Sequence, residues 1–225
     1  MEKLTASVKR VVRESPGVST IYFLLANGWK LEYAAGQYIT IYLDGSSTPA
    51  GKAYSLSSAP HEKWMSITVK NIGEFSGYLC ALKAGDTFTI SRAYGFFNPN
   101  TTRPLVALAA GVGISPIISV LKDEFNHDAQ RPARVYYSNK TADTIAHKKE
   151  LDNVPCDVMH HITAEQITPA GMRQGRIVLD ECIKAGEDAF YMICGSVQFV
   201  RDMWQGLTRR GVLPENITTE TFFES

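Results

Sequence analysis

The 225-residue sequence predicts a β domain followed by an α/β domain: an antiparallel β-barrel over residues 1–98, then a doubly wound parallel sheet over residues 99–225. Two observations predict this order. Up to residue 98, short runs of alternating apolar and polar residues are separated by turn signals, with almost no helical period. From Pro104 onward, continuous apolar runs alternate with segments of helical period, the pattern of repeated strand–helix units. The pattern changes in the stretch 98–104, which carries Pro99 and Pro104.

In order along the chain, the first thirteen residues alternate as a polar strand and show no basic-then-apolar leader. Residues 20–25 are a short β-rich run. In 37–43, Tyr38, Thr40 and Tyr42 fall on one face, and Ile39, Ile41 and Leu43 on the other. Residues 64–70 and 87–90 alternate as well. Turn signals stand at Asn27-Gly28, Asp44-Gly45 and Gly85-Asp86, a spacing that suits a small barrel. Residues 105–109 are apolar throughout, as a parallel strand covered on both faces requires. Helix is expected over 117–125, 143–151, 177–185 and 197–210, and strand over 135–137, 158–162, 189–194 and 217–223.

Composition narrows the function classes. Lys+Arg and Asp+Glu both number 23, giving a formal net charge of zero, without the basic surplus of a nucleic-acid binder. Cys80, Cys156, Cys182 and Cys194 form no C-x-x-C pair, so local cysteine spacing builds neither a zinc site nor an iron–sulfur cluster. No apolar run approaches the roughly 18 residues of a membrane span. The expectation is a soluble, reduced, cytoplasmic protein without a metal. His127, His147, His160 and His161 show no ligand spacing and are expected at solvated margins, with Lys148 and Lys149 on a wet helix face and Trp204 on an amphipathic helix.

Two stretches carry chemistry. Lys52-Ala53-Tyr54-Ser55 offers a cation, an aromatic face and a hydroxyl at a strand end. The turn from Gly111 to Pro116 combines glycines that permit close backbone approach, Ser115 at an expected N-cap, and Pro116 at the first helical position. Free N–H groups at such a helix start make an anion site. It is not a G-x-G-x-x-G fingerprint, because Pro116 holds the third glycine position, and an ordinary well-capped strand–turn–helix joint accounts for the same residues. A second cradle is expected at Gly73, with Ser76 as the cap of the following helix. A planar redox ring needs the first kind of surface and a pyrophosphate the second, which suggests a flavin beside a pyridine nucleotide.

The ordered set resembles the ferredoxin–NADP reductase superfamily over essentially the whole chain. Lys52 to Ser55 looks like its R-x-Y-S flavin motif; Gly73, Ser76 and Leu79 match G-x-x-S-x-x-L. Gly111 to Pro116 match G-x-G-[IL]-[TS]-P, Cys194-Gly195-Ser196 matches C-G-[SP], and Ala35 to Tyr38 resembles P-G-Q-Y. The resemblance implies a flavin-dependent NAD(P)H reductase. Tyr54 would stack on or edge the isoalloxazine and Ser55 would face its reactive nitrogen. Lys52, Lys70, Gly73, Ser76 and Gly77 would complete the flavin site. Gly111, Gly113, Ser115 and Pro116 would lie by the dinucleotide phosphates. Cys194 would sit beside the reactive nicotinamide carbon, with Gly195 and Ser196 allowing close approach. Glu220 and Phe222 resemble the acidic and aromatic residues placed near the flavin at the chain's end. Ser55, Cys194 and Glu220 are thus the implied catalytic residues.

The implied cofactor is FAD, with FMN as the alternative, and the implied donor NADH or NADPH. Lys140 is placed to pair with an NADP 2′-phosphate, yet Ser138 to Thr141 also resembles the N-[KRQ]-T turn of NADH-using relatives. Lys52 departs from the usual arginine, exchanging a bidentate fork for a point charge. The acceptor is expected to be a separate ferredoxin, flavodoxin or oxygenase component. A free-flavin or ferric-chelate reductase and a non-enzymatic nucleotide-binding subunit are the competing readings.

Overall fold

Two six-stranded sheets organise the protein, in a computed structural model that describes residues 2–99, 101–166, 169–184, 186 and 188–222. The first sheet contains β1 (Leu4–Ser15), β2 (Val18–Leu25), β3 (Tyr38–Tyr42), β4 (Lys52–Ser55), β5 (Met65–Lys70) and β6 (Thr87–Tyr94). All its pairings are antiparallel, in the order β4-β3-β6-β1-β2-β5. A bridge between Leu56 and Ile67 brings the two ends together, giving a barrel. Period-2 alternation puts Ile39 and Ile41 inside with Ile21, Phe23, Ile67 and Ile90. Tyr42, on the other face of β3, is buried as well, its ring lying 4.6 Å from the ammonium of Lys3. Helix α1 (Glu74–Ala81) follows β5 and buries Phe75 and Leu79 against this core.

The second sheet is parallel, in the order β10-β9-β8-β7-β11-β12. Its strands are β7 (Leu105–Ala110), β8 (Ala133–Asn139), β9 (Asp157–Ile162), β10 (Arg173–Gln174), β11 (Phe190–Ser196) and β12 (Ile217–Phe222). The apolar run in β7 is explained by burial on both faces. Leu105, Ala107 and Ala109 join the core under α2 (Ile114–His127), whereas Val106 and Leu108 join the core under α4 (Leu179–Lys184) and α5 (Val197–Thr208). Val18, Ala35 and Phe97 enter the same core as α2, so the barrel and the parallel sheet are packed together. The strand order reverses between β7 and β11. That is where open α/β sheets leave a crevice at the carboxyl ends of their strands.

The expected helix over 143–151 is instead a 3₁₀ turn (Ala142–Thr144) and a four-residue helix, α3 (Lys148–Leu151). Between them His147 takes a left-handed conformation at φ 56°. The segment lacks a continuous apolar stripe to hold a longer helix, and tertiary contacts decide its path. Strand β10, two residues long, carried no periodic signal. The ends of the expected helix 177–185 and strand 217–223, at Ala185 and Phe223, lie outside the described residues.

The histidines correct the expectation of solvated margins. His147, His160 and His161 are buried, and among these four only His127 is exposed. Burial pushes the pKa of His160 and His161 down, because the apolar surroundings penalise the charged ring. Among the described residues no helix is long and apolar enough to cross a membrane.

Candidate active site

A cleft of about 950 Å³ runs between the barrel and the carboxyl ends of the parallel strands. From the barrel side it is lined by Lys52, Tyr54 and Ser55 of β4, Thr68 and Lys70 of β5, and Ser76 of α1. From the other side it is lined by Gly111, Ser115, Ser138, Lys140, Gly195, Ser196, Glu220 and Phe222. Most of the residues singled out in the sequence therefore meet at one crevice. Gly73, Gly77, Gly113, Pro116 and Cys194 do not line it.

The barrel wall is aromatic and cationic. Tyr54 lies nearly parallel to Phe75, with centroids 6.4 Å apart and planes at 16°. Burial pushes its phenol up to about 12, so it stays a neutral surface at physiological pH. The Lys52 ammonium stands 5.7 Å from the Phe75 ring centroid. Phe75 thus underpins Tyr54 and Lys52 of β4, a role invisible in the sequence.

Ser55 crosses between the two sheets: its hydroxyl donates to a carboxylate oxygen of Glu220 on β12. Ser55 is buried and Glu220 half-buried. Burial raises the Glu220 pKa, against the pull of the Ser55 hydrogen bond. Directly across the β11–β12 pairing, Cys194 stands opposite Glu220. The thiol is sealed in the core and held well above its ordinary pKa, first by burial and then by the Glu220 charge. Its place is therefore behind the cleft wall as a neutral thiol, and it is the adjoining Gly195 that lines the cleft.

The two expected phosphate cradles are built differently from the sequence reading. Ser76 is not the cap of α1 but its third residue, after Gly73. Its Oγ accepts the N–H groups of Ile72 (3.0 Å) and Gly73 (3.1 Å) and donates to the Gly73 carbonyl, which closes the turn. Likewise Ser115 is not the cap of α2, which starts at Ile114 after a 3₁₀ turn over Gly111–Gly113. The Ser115 hydroxyl donates to the Val112 carbonyl at 2.7 Å, and Pro116 is the third helical residue, where its missing N–H costs no helical bond. Gly111 takes a positive φ of 53°. At Gly113 a Cβ would come within 2.3 Å of the Cys194 carbonyl oxygen and 2.7 Å of the Gly195 nitrogen. That glycine lets the turn sit on the end of β11.

Ser196 caps α5, accepting the Phe199 N–H at 3.3 Å. Phe222 packs on the core beneath α2. Sequence reading missed Tyr38, Thr68, Phe96, Thr144 and Ala146 on the cleft wall. Phe96 is 98% exposed and its neighbour Phe97 buried. Nothing in the local pattern tells these two apart. The others carry no motif.

A sequence profile of the oxidoreductase NAD-binding domain family matches residues 107–205, the core of the parallel-sheet half. Reductase component 1 of terephthalate 1,2-dioxygenase from Comamonas sp. is 27% identical over 238 residues, covering all of this chain and 69% of that protein. The flavohem-like FAD/NAD-binding domain of nitric oxide dioxygenase from Vibrio cholerae O1 biovar El Tor superposes with a TM-score of 0.88 at 26% identity. That match covers 97% of this chain and 98% of that one. The same fold recurs in a ferredoxin NADP⁺ reductase from Neisseria gonorrhoeae with bound FAD and NADP, at a TM-score of 0.84 and 20% identity, covering 99% of this chain and 100% of that one.

The chain has the fold of the ferredoxin–NADP reductase superfamily, and residues 107–205 match the oxidoreductase NAD-binding domain family.

It is an oxidoreductase with that superfamily's two-part architecture, a barrel followed by a parallel-sheet half. The chain spans 69% of the length of that terephthalate dioxygenase reductase component and 57% of a Bacillus subtilis flavohemoprotein, to which it is 31% identical over 93% of its own length. Those relatives are therefore longer proteins.

Proposed function

We propose that this protein takes hydride from NADH or NADPH and passes electrons through a bound FAD to a separate acceptor. The observation that carries this reading is the Ser55–Glu220 hydrogen bond. It joins the barrel's aromatic wall to the last strand of the parallel sheet at a cleft large enough for extended ligands. The flavin, when bound, supplies the conversion of a two-electron hydride donor into deliverable electrons. The chain supplies position and electrostatics. Tyr54, backed by Phe75, offers a flat neutral face for the ring. Ser55 presents a hydroxyl whose orientation Glu220 fixes. Lys52 and Lys70 supply positive charge for the phosphates on the barrel side. On the nucleotide side, the backbone N–H groups of the Gly111–Ser115 turn act, while the Ser115 hydroxyl is engaged within the turn. Cys194 shapes the wall through its neighbour Gly195 and gives no thiolate. Lys140, exposed at the end of β8, is the group to meet a 2′-phosphate if NADPH is the donor.

For the acceptor, we propose an oxygenase component or another electron carrier, the chemistry named for the terephthalate dioxygenase reductase. FMN would occupy the same ring site with fewer contacts. We propose a domain boundary at residue 98, between the end of β6 and the start of β7.

A second reading is favoured by Lys52. An ammonium in place of a guanidinium grips a phosphate without bidentate geometry, which suits a flavin that exchanges and is reduced as a substrate. A visible spectrum of the freshly purified protein separates the two. Bound flavin absorbance supports the cofactor reading. A colourless protein that oxidises NAD(P)H only when flavin is added supports flavin as a substrate. A colourless protein inert under both conditions overturns both.

A further inference from the structure

His147 is a buried, multiply hydrogen-bonded residue beside the cleft. It is 1% exposed and held at φ 56°, a left-handed conformation that side chains other than glycine rarely adopt. Both ring nitrogens are engaged. Nε2 lies 2.6 Å from the Thr68 hydroxyl on β5 of the barrel, and Nδ1 is hydrogen-bonded to a carboxylate oxygen of Glu150 on α3. Its backbone N–H donates to Glu14 of β1 at 3.1 Å. One residue of the parallel-sheet half therefore holds two strands of the barrel.

The contacts extend to both walls of the cleft. Thr68 lines the flavin side, and its hydroxyl also meets Thr20 (3.0 Å) and Ser57 (3.3 Å). On the other side, the N–H of Ala146, next to His147, donates to the fully buried Tyr137 hydroxyl at 3.3 Å. That hydroxyl donates to the Gly111 carbonyl at 2.9 Å. An unbroken path thus runs from Thr68 through His147, Ala146 and Tyr137 to Gly111, from the barrel wall to the nucleotide turn. The charged groups around the imidazole are Glu150 on its own helix, Glu14 on β1 and, beyond Glu150, Lys122 on α2. Lys122 also reaches Glu62 of the barrel at 3.3 Å. Burial alone would raise the Glu150 carboxyl; His147 and then Lys122 outweigh it and hold it at about 2.

We propose that His147 is a positioning residue for hydride transfer: through Thr68 on one side and Tyr137 on the other, it sets the spacing between the barrel wall and the nucleotide turn. This rests on the reductase reading above. Hydride transfer requires two rings held at near-contact distance, and misplacement by about 1 Å can cost on the order of a hundred-fold in rate. A buried imidazole with both nitrogens bound has little freedom to let that distance drift. Phenylalanine at this position would fill the volume but release Thr68 and Glu150 together.

The test is anaerobic single-turnover flavin reduction at saturating donor, expressed per bound flavin, in Thr68→Val, Thr68→Ser, His147→Phe and the Thr68→Val/His147→Phe double variant. The expected result is a loss of about ten-fold or more in Thr68→Val and in His147→Phe. The double variant should fall no further than the worse single one, and Thr68→Ser should regain most of the rate. Donor dissociation constants should move much less than the rate. Unchanged rates in Thr68→Val, a serine variant as slow as the valine one, or losses that multiply in the double variant would overturn the inference. Should His147→Phe not fold, the valine and serine variants at Thr68 still decide it. If the wild-type flavin is not reduced by either nucleotide, the reductase reading itself fails, and the inference with it.

Discussion

Ser55 and Ser115 are both serines of a glycine- or tyrosine-bearing motif, both buried, and both on the cleft wall, yet they use their hydroxyls in opposite ways. The Ser115 hydroxyl turns back on the Val112 carbonyl within its own turn. Ser55 reaches across 165 residues of sequence to Glu220. The first stabilises a local shape that presents backbone N–H groups. The second joins the two halves of the molecule where a ring and its donor would meet. A motif serine can thus act through the turn it closes or through the gap it spans, and only the partner tells which.

The comparison can be broken in several ways. The largest effect is expected from Ser55→Ala, which removes the hydroxyl between the two walls. Flavin reduction should slow about a hundred-fold with flavin still bound, the scale of a lost proton-holding group. A rate within two-fold of wild type, measured by stopped flow, would remove Ser55 from the chemistry.

Next is Gly113→Ala. The added methyl meets the Cys194 carbonyl and the Gly195 nitrogen, which are backbone and cannot swing aside. A loss of about 1–3 kcal/mol is expected in chemical denaturation, the range of overpacking against a rigid wall.

Acid sensitivity comes third. The Glu150 carboxyl is depressed from 4.5 to about 2, despite its burial, by His147 and Lys122. A depressed carboxyl contributes stability that is fully present above about pH 4.5 and lost as pH falls toward 2. Up to about 3 kcal/mol is linked to that window. The stability gap between Glu150→Gln and wild type in denaturation curves should be clearly smaller at pH 3 than at pH 7, and a pH-independent gap would contradict the assignment.

The smallest effect sharpens the contrast with Ser55. Ser115→Ala loses one internal hydrogen bond, worth about 1 kcal/mol. It should lower the melting temperature by a few degrees while changing donor affinity little. A ten-fold loss of affinity at unchanged stability would mean that the hydroxyl, and not the turn, meets the ligand.

Much of this was legible in the sequence, for physical reasons that differ between the halves. Alternation at Ile39 and Ile41 and the unbroken apolar run of β7 announce, respectively, a sheet covered on one face and a sheet covered on both. Turn and hydroxyl residues in a fixed order led to most of the cleft-lining positions. What stayed hidden was set by tertiary contacts. Ser76 and Ser115 both reach back into their own turns, and each helix starts one or two residues before its serine. Phe75 reads as an ordinary helix residue until its ring is found beneath Tyr54 and Lys52. His147 sits in a short charged stretch with no period, and its burial depends on Thr68, which is 79 residues away. The resemblance implies Cys194 beside the reacting carbon; in the fold the residue is buried in the core and its neighbour Gly195 lines the cleft.

The proposed function requires that the two walls bring a nicotinamide donor onto a flavin. Anaerobic titration of the flavin-loaded protein with NADH and, separately, with NADPH, followed in the visible spectrum, tests it most directly. At least one nucleotide should bleach the flavin in a stoichiometric titration. An unbleached spectrum with both nucleotides in excess would contradict it.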